Sequence, residues 1–133
     1  MSGGAIGGSI DLGYFGNIWV KQFAFNKIGQ YSLGHKHEFD HVTLLVQGKV
    51  LVEVEGFEPK EFVGPTFIVV KKEHRHKFTA LSDACIWYCI FALRDLDGNV
   101  VDSVEEFYAS RNNPYNDLDS GDAKELEKKT TQY

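Results

Sequence analysis

At 133 residues, with 43% hydrophobic, 25% charged and 14% aromatic side chains, the chain has the length of one domain and the apolar mass to bury roughly two thirds of its unfolded surface. A net charge of -5 without any basic block excludes recognition of a phosphate backbone, and so of nucleic acid, as the main task. No apolar run reaches the length of a bilayer, and MSGGAIGGSIDLGYFG has neither the charged start nor the continuous apolar stretch of a secretory signal, so the expectation is a cytoplasmic protein with no membrane partner.

Taken in chain order, residues 1–16 are Gly-rich and read as a flexible or edge-hugging segment, with a domain over 17–110 and a polar tail over 111–133. NIWVKQFAF, rich in aromatic and β-branched residues, reads as a strand in which Lys21 and Gln22 break any long apolar face. VTLLVQ and KVLVEVE follow, joined at Gln47 and Gly48 by a tight turn between paired strands. In KVLVEVE, Val50, Val52 and Val54 share one face and Glu53 and Glu55 the other, the alternation of a half-buried strand. GFEPKEFVGP reads as a turn-rich connection, TFIVV as a short buried strand, and HKFTAL and CIWYCIFAL as two more. Many short strands with turn residues between them predict an all-β sandwich or barrel. Asp97 and Gly98 mark a hairpin turn, and Ser103 with Glu106 forms a capping-box pattern that starts one short helix at Phe107 and Tyr108. Cys85 and Cys89 lie on one strand about 13 Å apart at their α carbons, beyond disulfide reach, and read as buried core thiols.

The stretch GHKHEFDH, residues 34 to 41, carries the chemistry and fits two metal motifs. As HExxH it would use His37, Glu38 and His41, which needs a helix to bring both imidazoles to one face. No cap or helical period surrounds the segment, and its continuation alternates with a period of two. The strand reading is therefore preferred: His35 and His37 project from one strand, the chain turns at Glu38, Phe39 and Asp40, and His41 faces them from the neighbouring strand.

Gly29, QYSLG, His35, Lys36, His37, EFD, His41, VTLLVQ and Gly48 resemble the first motif of the cupins, with His41 where that family most often has glutamate. His76 in KKEHRHKFTAL matches the histidine that ends the second cupin motif, although Lys71, Glu73 and Ala80 stand where Pro, Gly and Asn are usual. Gly64 is one residue out of register, so His74 competes with His76 for the fourth place; His76 is preferred because Phe78 and Ala80 follow it at alternate positions. The resemblance covers residues 17 to 95 and implies a cupin-type double-stranded β-helix, a jelly-roll barrel of the RmlC-like kind. It is similar in its ligand set to small cupins that hold manganese or iron with four histidines. One divalent transition metal per chain is implied at His35, His37, His41 and His76. Imidazole also suits nickel, zinc or copper.

Four neutral imidazoles leave the ion its full charge, which suits an anionic small molecule at the remaining positions. The resemblance implies a metal-dependent dioxygenase acting on a chelating substrate; the alternatives are a non-catalytic metal or small-ligand module and a metal-dependent isomerase or lyase. Tyr31, Arg75 and Tyr88 are candidate acids or bases, and Tyr31, Phe78, Trp87 and Cys89 are candidate pocket residues. The resemblance further implies a homodimer through edge strands, with the Trp19 strand as its seam.

Overall fold

The structure, a computed structural model, describes residues 8–33, 41–71, 74–109 and 130–131. Nine strands run as β1 (Ser9–Phe15), β2 (Ile18–Phe25), β3 (Tyr31–Leu33), β4 (His41–Gln47), β5 (Lys49–Val54), β6 (Lys60–Val63), β7 (Thr66–Val70), β8 (His76–Ala80) and β9 (Cys85–Ala92), followed by the helix α1 (Val104–Ala109). They form two antiparallel sheets, one in the order β1-β2-β9-β4-β7 and one in the order β3-β8-β5-β6. Because β4 and β5 are consecutive yet lie in different sheets, and β8 and β9 likewise, the chain crosses between layers as a jelly roll does.

Period-two patterning decides which face each residue takes. Cys85, Trp87, Cys89 and Phe91 of β9 point inward, as do Trp19, Phe23 and Phe25 of β2 and Val50 and Val52 of β5, and all belong to one core cluster. Trp87 is its hub, stacked on Phe23 at 5.1 Å and edge-on to Phe25 at 4.8 Å. Across the barrel it meets Phe78 of the second sheet at 5.6 Å. Such aromatic pairs are worth about 0.5–1.5 kcal/mol each beyond their burial.

One end of the barrel is closed by Leu93, Val101 and Phe107, each under 10% exposed. Asn17 donates its side-chain N–H to the Val101 carbonyl, and Leu93 donates its backbone N–H to Asn17. The expected capping box opens α1: the Glu106 backbone N–H donates to Ser103 Oγ at 3.2 Å, while the Glu106 carboxylate accepts from the backbone N–H of Asp102. The Asp97–Gly98 turn also forms, with Asp95 accepting from the backbone N–H groups of Asp97 and Asn99.

Four expectations are corrected. Residues 9–15 of the Gly-rich start are not a flexible segment but form the edge strand β1 on β2, the edge-hugging alternative; Gly13 lies opposite Val20, while the adjacent Leu12 enters the core. Gln47 and Gly48 do not join paired strands, since β4 pairs with β7 and β9 and β5 with β6 and β8. Gly48 is instead a corner between sheets. Part of GFEPKEFVGP is the edge strand β6, held on β5 from Lys49↔Val63 to Val52↔Lys60. TFIVV is buried on one face alone, with Phe67 and Val69 exposed. The tail assigned to 111–133 lies outside the described residues, apart from 130–131. Cys85 and Cys89 are both free and buried, as expected.

Candidate metal centre

His41 is the first residue of β4, and the alternation of HVTLLVQ turns His41, Thr43 and Leu45 toward the interior. His41 is 4% exposed and lies opposite Val70 of β7. His76 is the first residue of β8, opposite Val54 and on the same face as Phe78 and Ala80. The two imidazoles thus enter from different sheets, and their ring centres stand 5.5 Å apart. That separation suits a shared ion: a metal–nitrogen bond of about 2.1 Å puts each ring centre about 3 Å from the metal, so two rings on one ion stand up to about 6 Å apart.

His76 Nδ1 lies 3.4 Å from the His74 carbonyl, a contact compatible with the tautomer that keeps the proton on Nδ1 and the lone pair on Nε2. His74 contributes its backbone there, while its ring packs edge-on against Phe57 at 5.6 Å. His35 and His37 lie outside the described residues, and among the described residues no group of three or more His, Cys, Asp or Glu side chains could hold a metal. His41 begins a strand, which removes the helical HExxH geometry at that residue.

Comparison with protein-family models and with curated protein sequences gives no match. Solved structures do match: an RmlC-like cupin family protein of Methanocaldococcus jannaschii with a double-stranded β-helix fold is similar over 69% of this chain and 85% of its own, with a TM-score of 0.58 and 11% identity. The chain has the cupin fold. A cupin superfamily protein of Desulfitobacterium hafniense gives a TM-score of 0.53 at 13% identity, covering 62% of this chain and 72% of that one. A cupin-2 domain containing protein of Shewanella frigidimarina gives 0.51 at 16% identity, covering 63% and 79%.

Within the cupin barrel the expected pocket residues divide. Phe78, Trp87 and Cys89 point inward as anticipated but are packed, at 3%, 1% and 7% exposed. Tyr31, 2% exposed, pairs with Thr79 and so takes the face of β8 opposite to Phe78, with the Lys77 ammonium 4.6 Å from its ring centre. Tyr88 lies on the outer face of β9, donating to Gln22 Oε1 at 2.8 Å. The Cys89 thiol bonds Thr43 Oγ1 at 3.5 Å, and burial pushes its pKa up to about 11, against the opposing pull of that bond and of the Lys21 charge. It is a protonated core thiol rather than a nucleophile.

Sequence reasoning missed Lys21. It lies opposite both Leu12 and Cys89, and Cys89 in turn faces Thr43 across β4, so a lysine occupies the inner row of the first sheet. Its ammonium is 5.3 Å from the Phe23 ring centre. The signal was present: in WVKQFAF, Trp19, Lys21, Phe23 and Phe25 fall on one period-two face. Trp19, 3% exposed, stacks on Phe91 at 4.8 Å, and its indole N–H is buried with no hydrogen-bond partner among the described residues.

Proposed function

We propose that this cupin binds one divalent transition-metal ion, iron or manganese, through His35, His37, His41 and His76, and acts as a small non-haem oxygenase on an anionic, chelating small molecule. The observation that carries the reading is the convergence of His41 and His76 from separate sheets with their rings 5.5 Å apart. When bound, the metal supplies Lewis acidity and a site for dioxygen chemistry. The chain's own residues do the rest. The His74 carbonyl orients His76. Lys21, inside the barrel, attracts an anionic group, and the Trp19 N–H offers a donor to an acceptor oxygen of the guest. Packed aromatic walls around Trp87 limit water entry.

Metal analysis of protein purified without added metal, followed by oxygen uptake with a panel of diketones and phenols, tests both halves of the proposal. Metal binding without uptake on any member would favour a non-catalytic metal or ligand module. Replacing His41 or His76 with alanine is expected to abolish metal retention, and His74→Ala to preserve it; equal loss from His74→Ala would refute the ligand assignment.

The homodimer is proposed on a different surface from the Trp19 strand, because β2 lies between β1 and β9 and has no free edge. The outer face near β7, where Phe67 and Val69 stand 71% and 59% exposed, suits a second copy better. Light scattering of Phe67→Glu against the parent chain checks it: a parent that is monomeric, or a dimer unaffected by the change, rejects this surface.

A further inference from the structure

Asp97 and Gly98 have no part in the proposed metal site, yet they form the single Asp-Gly step of a chain that contains no Asn-Gly, and both are exposed. At such a step the peptide nitrogen can reach the preceding carboxyl, because glycine puts no side chain in the way of a close approach. Nothing stands within 4 Å of a Cβ built on Gly98, so that flank is open. The turn, however, holds both reacting groups. The Gly98 N–H donates to the Asp95 carbonyl at 3.1 Å, and the Asp97 N–H donates to Asp95 Oδ1 at 3.0 Å. Asn99 ties the far side, its backbone N–H donating to Oδ1 at 2.9 Å and its side-chain N–H to Oδ2 at 3.4 Å. The Asp95 N–H in turn donates to the Asn99 carbonyl at 2.9 Å. One carboxylate thus fixes the residues on both sides of the Gly98 nitrogen. The Asn99 N–H, more than any other donor, holds that carboxyl below the usual carboxylate range, which keeps it an acceptor at neutral pH.

We infer that Asp97–Gly98 is a self-modification site, at which Asp97 converts to isoaspartate, and that Asp95 is the positioning residue that sets the rate by holding the turn closed. In the reaction the Gly98 nitrogen bonds to the side-chain carboxyl carbon of Asp97, a C–O bond breaks, and the N–H proton leaves with that oxygen as water. A water molecule then adds to the main-chain carbonyl carbon of Asp97 and cleaves its bond to the nitrogen, so that the chain continues through the side-chain carbon. Water is the one co-reactant, and nothing is oxidised or reduced. While the turn is formed, attack must first free the Gly98 N–H from the Asp95 carbonyl and rotate Asp97 against its own bond to the Asp95 carboxylate. The product lengthens the main chain by one carbon between Asp95 and Asn99. That breaks the register continued by the Arg94↔Val100 bridge toward Leu93 and Val101, two of the residues that close the barrel end.

The test ages the full chain at physiological temperature and neutral pH, counts isoaspartate by methyl transfer from a protein isoaspartyl methyltransferase, and locates it by peptide mass mapping. Asp95→Ala is expected to form isoaspartate at position 97 roughly tenfold faster than the parent, the effect of losing about one net hydrogen bond, with circular dichroism confirming that the fold is kept. Asp95→Asn, which keeps one acceptor oxygen without its charge, should fall between the two. If Asp95→Ala is unfolded, Asp95→Asn decides: a rate above that of the parent supports the inference, and a rate equal to it overturns it. Asp97→Glu, whose ring would be one carbon larger and slower to close, should give no signal at that position. Equal rates in the parent and both Asp95 variants, or no isoaspartate at position 97 in any of them, overturn the inference. Metal retention does not enter the measurement, so a failed metal assignment leaves this result unchanged.

Discussion

Gly48 joins the strand that carries His41 to the strand that pairs with His76, and replacing it tests whether this corner holds the two sheets in register. Its φ is +94°, and a Cβ added there would stand 2.7 Å from Cys85 Sγ, 2.9 Å from Cys85 Cα and 3.1 Å from Ser82 Oγ. A side chain at positive φ costs about 1–2 kcal/mol. Overpacking against backbone that cannot swing aside adds about 1–3 kcal/mol. The Cys85 segment is fixed, because the Lys49 carbonyl accepts from Leu81 N–H at 2.8 Å and from the Cys85 thiol at 3.3 Å, and the Lys49 N–H donates to Ser82 Oγ at 2.9 Å. Gly48→Ala is therefore expected to destabilise by about 3 kcal/mol, a large share of the roughly 5–15 kcal/mol that holds a domain together. Gly56 supplies the control: its φ is +86° with nothing within 4 Å of an added Cβ, so Gly56→Ala carries the backbone cost alone, about 1–2 kcal/mol. Urea unfolding followed by circular dichroism, with unchanged slopes, measures both. Equal losses at the two positions would show that the close approach to Cys85 has no energetic weight and would refute the reasoning.

Other outcomes follow from the same geometry. Cys89 has its thiol pKa raised from 9.0 to about 11, so its contribution to stability is intact below about pH 9 and is lost as pH rises through 11. Two units correspond to about 2–3 kcal/mol, and Cys89→Ala should flatten that decline in urea midpoints taken from pH 8 to 11. An identical decline in the variant would assign it to other groups. Ser103→Ala should cost about 1 kcal/mol by removing the acceptor of the Glu106 N–H, read by the same unfolding assay. Phe107→Ala, at a side chain 1% exposed under the closed end of the barrel, should cost about 3–5 kcal/mol; a change below about 1 kcal/mol would mean that α1 does not seal the core.

Local pattern and tertiary placement can be separated residue by residue. Strand identity was legible wherever side chains alternate, because a pleated chain shows successive residues to opposite faces: β2, β5, β8 and β9 follow from their letters, and so does the inward turn of His76 with Phe78 and Ala80. The capping of α1 was equally local, needing just Ser103 and Glu106 at the right spacing. β1 and β6 were hidden. Asp11 and Gly13 of β1 and Lys60 and Glu61 of β6 are poor strand formers, and the two strands pair because a neighbouring strand presents an open edge, a fact no single window contains.

Much the same division runs through the site. The sequence by itself determined that histidines would gather near the start of two strands, since their spacing and alternation are properties of the chain. Only the tertiary structure decided that His41 and His76 meet from opposite sheets, that Lys21 stands in the inner row of the first sheet and that Tyr31 is buried on the face of β8 opposite to Phe78. Register between strands distant in sequence is set by packing the whole core at once, and a shift of one residue would send each of these side chains to the other face.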